Sequence, residues 1–149
     1  MILALAIFIY TLLALLAVRI YAEKEAIQDF KKIIADGSKN SLGSKFHRQS
    51  FIRVALICAA FGLPIALYSI LLFVVYWILS GFLFAYIFEP KLNILRGLAP
   101  NYVGIRSDWD LFFQRFPNPS DAVLSVKVTG MVVFGMLYCL ILFFKLNIL

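Results

Sequence analysis

The side chains able to do chemistry are few, and they gather in two polar segments. His47 is the single histidine. Beside a carboxylate such as Asp110 it makes a candidate acid–base pair, because that work needs a group titrating near neutrality. His47 with Glu89, Asp108 and Asp110 also supplies the donor types of a metal site. Arg48, Arg53 and Arg96 each carry the planar fork that holds a lipid phosphate through two bonds. Local sequence supports none of the chemical readings: there is no HExxH, no nucleophile elbow and no CxxC. Solvated carboxylates and anchoring arginines are the plainer interpretation. The expectation is therefore no metal and no cofactor, with His47 and Asp110 the residues to watch for catalysis. Cys58 and Cys139 each sit in an apolar run and read as small hydrophobes.

What must position these residues is a chain unlike a soluble domain. Of its 149 residues 63% are hydrophobic and 15% charged, where a globular protein has about half and about a quarter. Mean hydropathy is +0.94. A core able to hide that much apolar surface from water does not exist at this size, so lipid must solvate it. The net charge of +6 and a pI near 9.5 would also suit a nucleic-acid binder. Here, however, Lys and Arg flank apolar runs, the pattern of topology signals, and no nucleic-acid partner is expected.

Residues 2–22 form a first apolar run with Arg19 on its C-terminal flank. The basic start of a signal peptide is missing, which points to a retained span. Along 23–36, Ala26, Ile27, Phe30, Ile33 and Ile34 recur at helical spacing, with Lys24, Gln28, Asp29, Lys31 and Lys32 on the other face. That predicts a helix continuing the first span with its apolar stripe in the headgroup zone. Residues 37–44 are Gly/Ser-rich and read as a linker. Residues 54–88 then lack any charged side chain. One helix of that length would be about 52 Å long, too long for a bilayer, so the run must double back. The sequence places the break at Gly62-Leu63-Pro64, giving spans at about 46–62 and 64–88.

Residues 89–121 are polar and dotted with aromatics. The segment 93–97, ending in Gly97, reads as a structured turn in which Arg96 bonds loop carbonyls or Glu89. Ser107 followed by Asp110 resembles a capping box. Trp109, Phe112, Phe113 and Phe116 then recur at i, i+3, i+4 and i+7, one aromatic face of a short interfacial helix ended by Pro117 and Pro119. Ser120 or Asp121 caps a last span at about 122–147.

Four spans place 23–53 and 89–121 on one side of the membrane. Residues 19–53 hold eight, and 89–127 five, of the fourteen Lys and Arg. Three spans would split them, and the positive-inside rule selects four. The expectation is an all-α, polytopic bundle forming a single membrane domain over 1–149, with both loops cytoplasmic and both termini outside, in a bacterial inner membrane. No ionisable side chain lies at depth, as transporters and proton relays require. The reading is a membrane protein acting on lipid, a membrane partner or a second copy, with Trp109, Phe112, Phe113, Phe116, Arg48, Arg53 and Arg96 at the interface. A holin-like permeabilising protein and an enzyme of lipid headgroups are the alternatives.

Overall fold

The computed structural model describes residues 2–35, 44–104 and 108–148, and side chains within them except at 44–50, 108–109 and 146–148. The architecture is all-α, with no strand among the described residues. In chain order the helices are α1 (Ile2–Ala35), α2 (Ser44–Tyr68), α3 (Ile70–Leu95), the short α4 (Asp108–Phe113) and α5 (Pro119–Ile148). Four of them contain stretches long and apolar enough to cross a membrane: Ile2–Ala35, Phe51–Tyr68, Ile70–Leu95 and Pro119–Lys145. The chain is thus built as an integral membrane protein.

α3 is the hub, with its backbone closely approached by α1, α2 and α5, while α2 and α5 stand further apart and meet through side chains such as Tyr68 and Lys145. The long helices alternate in direction. Trp77 Nε1 donates to the Ala55 carbonyl at 2.9 Å, which folds α2 back along α3. The Phe82 and Phe134 rings stack at 5.8 Å, setting α5 antiparallel to α3. Thr11 Oγ1 and the Tyr138 hydroxyl lie 2.5 Å apart and tie α1 to α5 deep in the bundle. This hydroxyl pair satisfies two groups that lipid could not.

α1 runs unbroken for 34 residues, about 51 Å. Its buried stripe passes through Ala4, Ile7, Thr11, Ala14, Val18, Ala22, Ala26 and Ile33, and small residues along it let α3 approach closely. The same stripe takes in Glu25 and Asp29, each 3% exposed, while Ile27 and Ile34 face outward. The expected division of 23–36 into an apolar and a charged face is therefore rotated: two carboxylates point into the protein. The reason lies on α2, where Arg53 forms an ion pair with Glu25. Lys32 reaches Asp29 from the rim at 3.3 Å.

The reversal between the second and third spans occurs at Ser69, not at Gly62–Pro64. Ser69 alone is extended (φ −162°, ψ 118°), and its hydroxyl accepts from the Leu72 N–H as an N-cap. Within 54–79 it is the only Ser, Thr, Asp or Asn. Gly62 instead serves packing: a Cβ there would meet Phe73 and Tyr76 ring atoms at 2.8 Å. Pro64 stays inside α2. The carbonyl it leaves unbonded is that of Ala60, and one residue on the Tyr10 hydroxyl donates to the Phe61 carbonyl at 2.8 Å. Neighbouring side chains of this kind let a membrane helix carry a proline. With the corner at Ser69, the second span gains the apolar window Phe51–Tyr68, about 27 Å, and is no longer short.

Candidate functional site: the polar end of the bundle

Both charged segments meet at one end of the bundle. The Ser69 corner is at the other, where Lys145 lies 5.5 Å from the Tyr68 ring centroid. At the polar end two interhelical ion pairs close the structure: Glu25 with Arg53 joins α1 to α2, and Glu89 with Lys127 joins α3 to α5. Each pair has one member withdrawn from solvent, Glu25 at 4% and Lys127 at 10% side-chain exposure, and one member at 40% or more. Such half-sunken pairs fix helix register, because removing either partner strands a charge in a poorly solvated place.

The chain leaving α3 is closely tied. Arg96 is the C-cap, and Gly97 takes the left-handed conformation at φ 72°. The Leu98 N–H returns to the Asn93 carbonyl at 2.9 Å and the Gly97 N–H to that of Ile94 at 3.0 Å, a Schellman end. Asn93 Nδ2 then donates to the Pro100 and Tyr102 carbonyls at 3.0 and 3.1 Å. Gln114 Nε2 donates to those of Val103 and Gly104 at 3.1 and 3.2 Å. The structured turn expected at 93–97 is present, and Asn93 is one of its side-chain ties. Asn93→Ala should cost about 1–2 kcal/mol, as buried side-chain hydrogen bonds do. Limited proteolysis should then cut 97–104 faster, and an unchanged rate would show that the loop holds itself.

This loop walls a small cleft lined by Glu89 of α3, Asn101, Tyr102 and Val103 of the loop, Asp110 of α4, and Val123 and Lys127 of α5. Asp110 lies over the Gly104 backbone, where a Cβ would come within 2.6 Å of Oδ2. Phe113 is 1% exposed and packs with Val103 and Val123 behind the cleft. No known protein family, curated protein or solved structure matches the chain. The chemistry must therefore be read from the residues themselves.

Two carboxylates and one ammonium line the cleft. Among the described residues no group of three His, Cys, Asp or Glu is placed to hold a metal ion. Of the residues singled out from the sequence, Glu89 and Asp110 do share one site. The side chains of His47, Arg48 and Trp109 lie outside the described residues. Arg53, expected against lipid phosphate, pairs with Glu25 and keeps its side chain 44% exposed. The expected aromatic face divides: Phe113 turns inward, while Phe112 and Phe116 are 46% and 43% exposed. α4 ends at Phe113, so Phe116 lies beyond the helix and the i+7 position is not helical. Sequence reasoning missed Lys127, taken only as the border of the last span. Its signal was a lone lysine two turns inside a helix that starts at Pro119.

Proposed function

We propose that this chain is a non-catalytic membrane component that works through contacts with phospholipid and with a membrane partner. The observation supporting this is how little of each span the chain covers for itself. Only 17% of the best apolar window of α2, and at most 33% of any window, is buried inside. The remainder, including Phe51, Leu56 and Leu67 on α2 and Val132, Met136 and Phe143 on α5, needs other apolar matter against it. Phe112 and Phe116, with Arg48 and Arg96, supply the interfacial contacts in this reading. When membranes holding the full chain are extracted and washed in mild detergent, phospholipid or a protein partner should stay bound in near-stoichiometric amount. A bare, folded chain after washing would overturn the proposal.

In the proposed orientation the polar end faces the cytoplasm, following the thirteen Lys and Arg that the sequence carries in 19–53 and 89–127. In a cysteine-free background, cysteines placed at Lys24 and Asn101 should label from the same side. One placed at Leu67, beside the corner, should label only from the opposite side. Labelling of Lys24 and Asn101 positions from different sides would rule out the four-span arrangement.

A further inference from the structure

We infer that the outward face of α1 docks a membrane-spanning helix of a partner protein whose extension beyond the bilayer is acidic. This rests on the membrane-partner reading above and names the chemistry of that partner. Depth gives the first argument. Arg53 directly precedes the uncharged stretch 54–88 and pairs with Glu25, so Glu25 marks the edge of the hydrocarbon on α1. From there α1 continues unbroken to Ala35. Lys31 and Ile34 stand about 9 and about 13 Å beyond that edge along the axis, whereas the headgroup layer is about 5–8 Å deep on each side. The extension does not lie down on the lipid, because Ala26, Asp29 and Ile33 hold its other side in the protein. Ile34 is nevertheless 62% exposed, out of reach of the bilayer.

Spacing gives the second argument. Lys24, Ile27, Lys31 and Ile34 follow one another at three, four and three residues, and all four are exposed. Toward the membrane, Leu13, Leu16 and Ile20 continue the same face and are exposed too. Steps of three and four make the seam along which two helices pack side by side. Here the seam runs from hydrocarbon to the water side without interruption, so the helix that covers it crosses the same membrane and continues past it. Charge gives the third argument. Glu25 and Asp29 are turned into the protein, and Glu23 is taken by Arg19 at 3.4 Å. Lys24 and Lys31 have no ion pair among the described residues. A second copy in the same membrane runs parallel and would set each lysine against its own counterpart, which repels. A helix with Asp or Glu at those positions neutralises both lysines while it covers both isoleucines.

The test uses the full chain, fluorescently labelled, in phosphatidylcholine vesicles, with two synthetic helical peptides as probes. Both carry the same leucine-rich span, then an extension with leucine opposite Ile27 and Ile34. One has glutamate, the other lysine, opposite Lys24 and Lys31. By energy transfer, the glutamate peptide should associate about tenfold more tightly, since two facing pairs change from repulsion to attraction. Lys24→Glu/Lys31→Glu alters exposed side chains only, and should reverse the preference while the melting temperature holds. Equal association of the two peptides with the wild type would overturn the inference, as would a preference that survives the double variant. Neither result touches the broader contact reading, which stands or falls on what the washed chain retains. If the double variant's only deficit is the phosphatidylglycerol retained from mixed vesicles, the face contacts anionic lipid and the inference fails.

Discussion

Arg53→Ala should lower the stability of the folded chain by about 3 kcal/mol, the lower edge of what breaking a buried ion pair costs. The lower edge applies because Arg53 is 44% exposed in its side chain and keeps part of its hydration. Glu25 is the source of the effect. It is 4% exposed in its side chain, so without Arg53 its carboxylate loses its ion pair among the described residues and has little water to replace it. Thermal unfolding in detergent micelles would report the loss. The double variant Glu25→Leu/Arg53→Leu should recover most of it, since an apolar pair removes the desolvation cost together with the attraction. An Arg53→Ala protein that melts with the wild type would mean that the pair is an ordinary surface contact. The register of α1 against α2 would then be set by packing alone.

Gly62→Val is the second large effect. A Cβ at Gly62 would lie 2.8 Å from Phe73 Cε2 and from two ring atoms of Tyr76, and Tyr76 is fully buried with no room to turn aside. The added methyl groups must push α2 off α3 near the Ser69 corner. The expected loss is about 3 kcal/mol, the upper range for overpacking a filled core. Gly81→Ala provides the contrast, because nothing lies within 4 Å of a Cβ there. That change should stabilise by about 0.5–1 kcal/mol through helix propensity alone. If Gly62→Val were as stable as Gly81→Ala, the close α2–α3 approach would be wrong, and Gly62 would return to the role of a turn residue.

Both sites show where a linear reading fails. Gly62-Leu63-Pro64 carries strong breaking signals, but each residue's meaning depends on what lies beside it. A glycine ends a helix when it must adopt a left-handed backbone, as Gly97 does. It joins two helices when an aromatic ring needs the space, as at Gly62. Pro64 removes a donor, which is tolerable where a Tyr10 from another helix serves the adjacent carbonyl. Ser69 was the quieter signal, a single hydroxyl in a long apolar run. The same holds for 23–36, where counting apolar residues selected a face that the partner helix then overruled. The aromatic pattern at 109–116 predicted a helix and found one, but Phe113 was claimed by Val103 and Val123 from outside the segment.

The sequence by itself determined the solvent, the helical class, the number of spans and the clustering of basic residues at one end. Each of these follows from local quantities: the length of an uncharged run against the thickness of hydrocarbon, and the charge next to it. Tertiary structure alone decided which carboxylates are buried, where the second span turns, and that Glu89, Asp110 and Lys127 come together. Those depend on which side chain another helix offers at the same depth. Burial, countercharge and close packing are properties of pairs, and residues 25 and 53, or 89 and 127, become pairs only when the helices meet.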